Sequence, residues 1–570
     1  MPESPKLDRP LRTIDSLRAN KNERSPTADS ENSSVKSSEP IRDDDWFEDV
    51  TNTSGILSTY RNGQEAGHLF ILESLGGGAG LFDFDRDGNL DVFLTGGGSI
   101  TGAKPELQGL PSALFRNAEG WQFSNVTSAA HVDRPGDYSH GCCAVDYDND
   151  GFSDLLVTAY GRCRLFRNQG DGSFDEVSDA AGIDRVGWWT GAAWGDVDHD
   201  GFSDLLVTAY VEWSPATDRP CRNSKNQREV CSPNRYAPAN DCLYRNRGDG
   251  TFVEAGREFG LVTGGNGLGV IAAELNGDGL VDFYVANDES DNFLYLGNPD
   301  GKLSETAQSA GVAVNQYGTH EGSMGLDAGD YDRDGRPDLW VTNFEHEDNA
   351  LYRNLGGQMY SQTTNQAGLA GRSRLHVGFG TAMEDFNGDG WLDLLVINGH
   401  VFYGGGQLPY RQHSQLFQNG KNGRFDDVSS VGGGYFRADH SGRGAAIGDL
   451  DNDGRLDFVV VHQNDPAAIL RNRTPAKSFI RLELIGTQAN RDAIGAVVTT
   501  LNQSRRDVRF VKSGAGYFSQ FDRRVVLSGV TASVDFEVRW PAGRREVFRQ
   551  LSEGQTHVLV QGKGLDDAVP

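Results

Sequence analysis

The chain has 570 residues and a formal net charge of −28, from 53 Lys and Arg against 81 Asp and Glu. This length is sufficient for several domains with a large buried core. The acidic balance argues against nucleic-acid binding, which requires a basic surface, and no apolar run approaches the about 18 residues of a membrane span. The 73 glycines and 10% aromatic residues are typical of a turn-rich β protein.

The first 43 residues are polar and contain no aromatic side chain. Such a segment cannot bury enough apolar surface to offset the entropy of ordering it, so we predict a disordered leader or linker over 1–43. A secretory signal requires an apolar core, and none is visible. Either the protein is not exported by that route, or its true start lies upstream of Met1.

One nine-residue pattern, D-x-[DN]-x-D-G-x-x-D, occurs seven times, and we number its copies loops 1 to 7. Oxygen-bearing side chains at positions 1, 3, 5 and 9, with a main-chain carbonyl at position 7, form the ligand set that Ca²⁺ prefers. Gly at position 6 permits a sharp turn. The sequence therefore predicts up to seven Ca²⁺ ions, and the alternative is seven acidic turns without metal.

The predicted ligands occupy the same five positions in every loop. In order of position they are Asp83, Asp85, Asp87, Asn89 and Asp91 in loop 1; Asp146, Asp148, Asp150, Phe152 and Asp154 in loop 2; Asp196, Asp198, Asp200, Phe202 and Asp204 in loop 3; Glu274, Asn276, Asp278, Leu280 and Asp282 in loop 4; Asp330, Asp332, Asp334, Arg336 and Asp338 in loop 5; Asp385, Asn387, Asp389, Trp391 and Asp393 in loop 6; and Asp449, Asp451, Asp453, Arg455 and Asp457 in loop 7. Loop 4 is predicted to be the weakest site, because Glu274 replaces the usual Asp.

An EF-hand shares the first six positions of this pattern, but it also requires Glu at position 12. Position 12 is Leu or Val in all seven copies, within runs such as DLLVTAY (Asp154 to Tyr160). These runs are typical of buried strands. Each loop is therefore predicted to join two strands, and the EF-hand is excluded.

The loops belong to a longer repeat of about 50–78 residues, a period that indicates a propeller or a solenoid. A Gly recurs five residues before every loop, and segments of the types L-[FY]-R-N and F-x-x-V follow it, which gives four strands, A to D. The last repeat lacks strand D, while an orphan segment of that type, Trp46 to Ile56, precedes the first. We therefore predict a seven-bladed β-propeller over 44–473, closed by this N-terminal strand.

Residues 475–562 show short alternating strands, and 563–570 are predicted to be a tail. The loops resemble the FG-GAP/VCBS repeats of integrin α-type propellers. The segments Asn490 to Val498, Ser513 to Gln520 and Arg539 to Val547 resemble the ASPIC/UnbV domain. Together they resemble the cartilage acidic protein family and its bacterial relatives. This resemblance implies an all-β fold with a β-sandwich-like second domain, and calcium-dependent extracellular binding or adhesion.

Cys221 and Cys231 lie in a polar insertion over about 211–241, between strands B and C of the third repeat. A disulfide would staple this loop, which has little core of its own, and would fit an exported protein. Two free thiols in a reducing compartment are the alternative. The pairing of the other four cysteines is left open.

Several histidines are predicted to lie on the propeller face away from calcium. The candidate ligand-face residues are His320, His376, His400, His440 and Arg443. We expect the three at 320, 376 and 440 in connecting loops around the channel mouth, with Arg443 beside them as a fixed positive charge. We expect this face to bind a protein or glycan ligand. We also expect the protein to be extracellular, on the cell surface or periplasmic. An enzyme or metal-dependent protein using this face, a subunit of a larger assembly, and ordinary polar loops are the alternatives.

Overall fold

The computed structural model describes residues 41–566, apart from 103, 134–135, 224, 404–407, 504–505 and 531–532. The predicted leader therefore lies outside the described residues except for its last three. The described chain is almost entirely β. Among the described residues, no helix is long and apolar enough to cross a membrane.

Seven antiparallel blades of four strands, one for each loop, form the propeller that the sequence predicts. Strands A to D are Ala79–Phe82, Asp91–Leu94, Ala113–Asn117 and Phe123–Asn125 in blade 1; Tyr138–Val145, Asp154–Arg162, Arg164–Asn168 and Phe174–Glu176 in blade 2; Val186–Gly195, Asp204–Ala209, Cys242–Asn246 and Phe252–Glu254 in blade 3; and Gly267–Ala273, Asp282–Asn287, Phe293–Gly297 and Leu303–Glu305 in blade 4. They are Leu326–Gly329, Asp338–Val341, Ala350–Gly356 and Met359–Gln362 in blade 5; Gly378–Glu384, Asp393–Asn398, Gln415–Asn419 and Phe425–Asp427 in blade 6; and Gly442–Gly448, Asp457–His462, Ala468–Asn472 and Phe47–Asp49 in blade 7. In every blade, strand B begins at the position-9 Asp of its loop.

The remaining elements of the propeller part are short. One-turn α-helices lie at Thr51–Ser54, Ser178–Ala181, Gly256–Phe259 and Ala307–Ala310, and 3-10 turns lie at Gln64–Ala66, Ile71–Ser74, Pro233–Arg235 and Ser429–Val431. Side ribbons are Arg61–Asn62, Gly97–Thr101, Glu106–Gly109, Val211–Glu212, Ala237–Pro238, Cys221–Arg222 and Arg228–Glu229. Each one-turn helix directly follows a strand D, where the chain turns toward the next blade.

The N-terminal strand closes the ring, as the sequence predicts. Phe47–Asp49 pairs antiparallel with strand C of blade 7, and Phe47 lies opposite Asn472. The Phe47 ring is 1% exposed and packs edge-on against Phe458, with 4.7 Å between the ring centroids. The first described strand and the last repeat thus form one blade.

The recurring glycines lie where neighbouring A strands approach each other most closely. A Cβ atom at Gly325 would lie 1.9 Å from the carbonyl oxygen of Phe379 in the next blade, and one at Gly269 would lie 2.4 Å from that of Met324. No other residue fits at such distances. The crowding confirms the close backbone approach that the glycine pattern predicts.

The C-terminal part is a two-sheet β domain. One sheet has the order Val525–Ser528, Phe479–Ile485 and Gln555–Val560, and the other has Val508–Phe510, Val497–Thr500, Val534–Arg539, Arg545–Leu551 and Leu565–Asp566. A core that includes the fully buried Trp540 and Phe536 lies between them; a 3-10 turn occupies Pro541–Gly543. The predicted tail over 563–570 is wrong in part, because Leu565–Asp566 pairs with Glu546 and Val547 as an edge strand.

A segment of the C-terminal domain, 512–522, enters the axis of the propeller, and we call it the plug. Its short strand Ser513–Gly514 pairs with strand A of blade 4. Backbone hydrogen bonds join it to strand A of four other blades: Leu81 N to Gln520 O, Cys142 N to Phe518 O, Leu326 N to Gly516 O and Asp522 N to Ile447 O, all between 2.9 and 3.1 Å.

The plug reaches the two remaining blades through side chains. Trp194 N of blade 3 donates to the Ser513 hydroxyl at 3.1 Å, and the Tyr517 ring packs on Phe379 of blade 6 with centroids 5.0 Å apart. Tyr517 and Phe518 are buried. The plug therefore contacts all seven blades and fills the part of the axis that an open channel would occupy.

Candidate metal centres

The seven acidic loops share a backbone scaffold that holds their carboxylates. In six loops the position-6 Gly amide donates to the position-1 carboxylate, at 2.9 Å for Gly335 and Asp330 and at 2.8 Å for Gly454 and Asp449. The position-6 Gly has a positive φ in every loop, +89° at Gly335. This left-handed turn folds the chain back on the position-1 side chain.

The position-9 Asp fixes each loop to the sheet. In loop 5, the Asp338 carboxylate accepts from Tyr331 N at 3.2 Å and from Asn354 N in strand C at 2.8 Å. Its side chain is fully buried. Because equivalent bonds to strand C recur in all seven blades, position 9 has a structural role as well as being a candidate ligand.

Five loops bring three carboxylates close enough to share one cation. Ligand atoms within 4.8 Å of one another are supplied by Asp83, Asp85 and Asp91 in loop 1; Asp146, Asp148 and Asp154 in loop 2; Asp196, Asp198 and Asp204 in loop 3; Asp330, Asp332 and Asp338 in loop 5; and Asp449, Asp451 and Asp453 in loop 7. Buried oxygens of Asp85, Asp146, Asp198 and Asp451 have no hydrogen-bond partner. Unpaired buried carboxylate oxygens are costly unless a cation satisfies them, so this donor set fits Ca²⁺.

Burial and mutual repulsion raise the pKa of the loop carboxyls. Burial is the main cause, and it raises the pKa of Asp91 to about 8 and that of Asp196 to about 7. Neighbouring carboxylates add to the effect, such as Asp200 beside Asp196. A divalent cation at the centre of such a group favours the ionised form and reverses this shift.

An Arg on strand C covers the outer carboxylates of most loops. Arg116 Nε lies 2.5 Å from Asp85, Arg167 Nε lies 2.7 Å from Asp148, and equivalent contacts in loops 3, 5 and 7 involve Arg245, Arg353 and Arg471. Each of these Arg residues is the third residue of an L-[FY]-R-N-like segment. That recurring Arg is the sequence signal for a charged group next to position 3 of each loop.

Loops 4 and 6 differ from the others. Among the described residues, neither brings three carboxylates within 4.8 Å of one another. Loop 6 has Asn387 at position 3, which contributes an amide in place of a carboxylate. In loop 4, the Glu274 carboxylate pairs with the guanidinium of Arg539 from the C-terminal domain.

The C-terminal domain lies on the loop side of the propeller and is held there by charge. Arg481 Nη1 lies 2.6 Å from Asp449, and Arg491 Nε lies 3.0 Å from Asp146, both at position 1 of their loops. Residues 475–562 carry 13 Lys and Arg against 8 Asp and Glu, in a chain whose net charge is −28. A basic domain therefore covers an acidic face.

The candidate ligand-face residues do not form one open site. His320, His376 and His440 lie in connecting loops, as predicted. Only His320 is exposed, and its Nε2 lies 3.3 Å from Asp291. His400 is fully buried. The His440 ring is half-buried and stacks on Tyr435 with 4.1 Å between centroids. His400, predicted as a residue of the open ligand face, is therefore enclosed in the fold and presents no open surface.

Arg443 is also wrong as an open-face residue, because it is a fully buried core residue of strand A. Its guanidinium donates to the carbonyl oxygens of Ser74 at 3.1 Å, Gly442 at 2.8 Å and His400 at 3.1 Å, and to Gln463 Oε1 at 2.8 Å. Every one of these acceptors belongs to this chain. The physical reason is the plug, which fills the axis of the propeller. The open channel mouth beside which Arg443 was predicted to lie is therefore closed.

The insertion in blade 3 contains the predicted disulfide. Cys221 and Cys231 are bonded, with their Cα atoms 5.3 Å apart. The other four cysteines, Cys142, Cys143, Cys163 and Cys242, are free and buried.

Models of two protein families match the chain, one in the propeller and one in the C-terminal domain. Residues 83–157, 146–207, 229–285, 274–341, 330–396 and 385–460 match the model of an FG-GAP-like repeat, and residues 486–566 match the model described as ASPIC and UnbV. Cartilage acidic protein 1 of Xenopus tropicalis is 24% identical over 315 residues, which cover 53% of this chain and 46% of that protein. The Homo sapiens protein is 24% identical over 318 residues, 52% and 44% of the two chains. The chain thus spans less than half the length of these relatives.

Solved structures align with the chain at low similarity. An Agrocybe aegerita lectin that recognises non-reducing terminal N-acetylglucosamine is 13% identical with a TM-score of 0.36, and the alignment covers 72% of this chain and 90% of that one. The BP39L lectin of Burkholderia pseudomallei is 9% identical with a TM-score of 0.33, covering 84% and 97%. Similarity this low identifies no ligand of this chain.

Proposed function

We propose that this chain, which belongs to the proteins built from FG-GAP-like repeats and an ASPIC and UnbV domain, is a calcium-stabilised extracellular or cell-surface protein that binds a protein or glycan. The observation that carries the proposal is the set of carboxylate triplets in five loops, four of which have a buried oxygen without a hydrogen-bond partner. Calcium supplies the positive charge that these oxygens require. Its role is structural, because each loop connects strands A and B of one blade.

An extracellular location is supported by two features. The disulfide between Cys221 and Cys231 staples an exposed insertion, and disulfides persist in oxidising compartments. Calcium sites of extracellular modules have dissociation constants on the order of 10⁻⁴–10⁻³ M, so we expect these loops to be filled at extracellular calcium. Both features are consistent with export of the protein.

The face opposite the calcium loops is the surface we propose for binding. The loop face is covered by the C-terminal domain, and the axis is filled by the plug. The opposite face presents the disulfide-linked insertion over about 211–241 and the loop with exposed His320 and Tyr317, which is 75% exposed. Long loops on a rigid scaffold are where binding residues concentrate.

The calcium part of the proposal is tested by thermal unfolding in calcium and in excess chelator. Each ion that binds only the native state adds RT ln(1 + [L]/Kd), about 2.7 kcal/mol at one hundred times Kd. Asp332→Ala in loop 5 should therefore lower Tm more than Asn276→Ala in loop 4. A melting curve that chelator leaves unchanged would contradict the proposal.

The binding part is tested by screening the calcium-loaded chain against a glycan array and by affinity capture from extracellular fluid, with elution by chelator. A matched pair of variants compares the two faces: His320→Ala on the proposed face, and Arg549→Ala on the exposed surface of the C-terminal domain. We expect the first to weaken binding and the second to leave it unchanged. The reverse result would move the site to the C-terminal domain.

A further inference from the structure

We propose that loop 4 is a guanidinium site and not a calcium site: it binds Arg539 of the C-terminal domain, and the chain binds calcium only at the other six loops. This inference rests on the proposed function, since it assigns calcium to the remaining loops. It also identifies loop 4 as an internal docking surface between the two parts of the chain.

The position-1 residue of loop 4 is committed to the C-terminal domain. Glu274 is 1% exposed, and one of its carboxylate oxygens pairs with Arg539 Nη2. Arg539 Nη1 donates to the carbonyl oxygen of Gly277 at 2.7 Å. The other Glu274 oxygen accepts the amide of Gly277, whereas position 1 of the other loops accepts the position-6 amide. The side chain of Glu274 is one methylene longer than that of Asp. Its carboxylate therefore accepts the amide of Gly277 in place of the position-6 amide, and its other oxygen faces Arg539.

The other carboxylates of loop 4 are satisfied without a cation. Asp278 accepts from Asn276 Nδ2 at 3.0 Å and from Leu280 N at 2.8 Å. Asp282 accepts two backbone amides, from Leu275 and Gly297, both at 2.8 Å. No oxygen of the loop 4 carboxylates is among the buried unpartnered atoms of the described residues, whereas loops 1, 2, 3, 6 and 7 each have one.

The strand-C Arg is absent from the same blade. The residue that corresponds to Arg353 of blade 5 is Leu296, which is buried. Loop 4 therefore lacks the strand-C Arg of its neighbours, and Arg539 of the C-terminal domain is its cation. Loops 2 and 7 also pair position 1 with an Arg of that domain, but they keep a strand-C Arg and an Asp at position 1. A guanidinium group is a planar donor that can donate to a carboxylate and to a carbonyl oxygen at the same time. Glu274 and Gly277 supply these two acceptors.

The turn that carries Arg539 docks on the same loop through its backbone. Ala542 N donates to the carbonyl oxygen of Gly279 at 3.0 Å. A Cβ atom at Gly279 would lie 3.3 Å from the Cα atom of Gly543. The two segments approach closely because Gly279 has no side chain. Loop 4 thus recognises the turn by shape as well as by charge.

The first experiment counts calcium ions on the full chain by native mass spectrometry and equilibrium dialysis. We expect six ions for the wild type, six for Glu274→Gln and five for the matched variant Asp330→Asn in loop 5. Seven ions for the wild type and six for Glu274→Gln would overturn the proposal. If the wild type bound no calcium, the proposed function would fail, and the second experiment would still decide whether loop 4 binds Arg539.

The second experiment measures hydrogen exchange of the full chain in peptides covering 275–282 and 539–545. We expect Arg539→Gln and Glu274→Gln each to raise exchange in both peptides, with no further increase in the double variant, because the two residues act through one contact. The control is Arg545→Gln, at the start of the strand that follows the turn. Arg545 is exposed and pairs with Glu537, so this change should raise exchange in neither peptide. Additive effects of the two variants, or an equal effect of the control, would overturn the proposal.

Discussion

Asn354 Nδ2 of blade 5 donates to the main-chain carbonyl of Leu275 at 2.9 Å, and Leu275 is the second residue of loop 4 in the preceding blade. Five further junctions have the same bond at 2.8–2.9 Å. They join Asn117 to Leu450, Asn168 to Phe84, Asn246 to Tyr147, Asn419 to Tyr331 and Asn472 to Phe386. The last residue of the L-[FY]-R-N segment is therefore a clasp between blades, and the bond from Asn117 closes the ring.

Removing one clasp should destabilise the propeller. Asn354→Ala leaves the buried carbonyl of Pro337, which Asn354 Nδ2 also contacts at 3.0 Å, without that donor. An unsatisfied buried polar group costs about 1–3 kcal/mol, and we expect a loss of that size in urea unfolding. Asn422→Ala, at an exposed turn of blade 6, is the control. Equal midpoints for both variants would contradict a role for the clasp.

Local spacing determined how much of this fold could be predicted. The loops, the four strands and the closing strand at Phe47 follow from patterns within one repeat, where neighbours in sequence are neighbours in space. In sequence, Arg539 is 265 residues from Glu274, and the plug is likewise distant in sequence from the blades that it contacts in space. Such pairs leave no local periodicity. The net positive charge of 475–562 and the aromatic pair within the glycine-rich stretch around Tyr517 and Phe518 were the available signals.

The blade that contains Phe47 should depend on the N-terminal segment. Deletion of 1–43 should leave Tm nearly unchanged, whereas deletion of 1–57 removes strand D of blade 7 and the buried ion pair in which Arg437 Nη1 lies 2.6 Å from Asp45. It also exposes a strand edge. Phe47→Ala, a large-to-small change in a core, should cost about 3–5 kcal/mol. Similar melting of both truncated chains would contradict closure by this strand.

Arg443 should stabilise the fold instead of binding a ligand. Arg443→Lys cannot reproduce four hydrogen bonds from one planar group, and each hydrogen bond lost from a charged group costs about 1.5–3 kcal/mol. We expect a loss of that order in urea unfolding. The control is Arg411→Lys, whose side chain is 48% exposed and pairs with Asp465; surface changes of this kind stay within about 0.5 kcal/mol. If Arg443→Lys unfolded like the wild type, the core role would be refuted.

Buried histidines should make the fold sensitive to mild acid. Burial lowers the pKa of His462 from 6.5 to about 4, and that of His140 to about 3. In the structure, Pro466 O accepts from His462 Nδ1 at 2.6 Å, and the Tyr435 hydroxyl donates to its Nε2 at 2.9 Å. This arrangement requires the neutral imidazole, because a proton on Nε2 would remove the acceptor.

The sign of the effect follows from the two pKa values. The unfolded chain binds the His462 proton near pH 6.5 and the folded chain only near pH 4, so stability is retained above 6.5 and lost as the pH falls. At about pH 5 the loss for this one group is about 2 kcal/mol. Buried carboxyls with raised pKa act in the opposite direction, so the measurement must isolate His462. Urea unfolding of the wild type and of His462→Gln, at about pH 7.5 and about pH 5 in the same excess of calcium, should show about 2 kcal/mol more loss for the wild type. Equal losses would show that His462 does not carry the acid sensitivity.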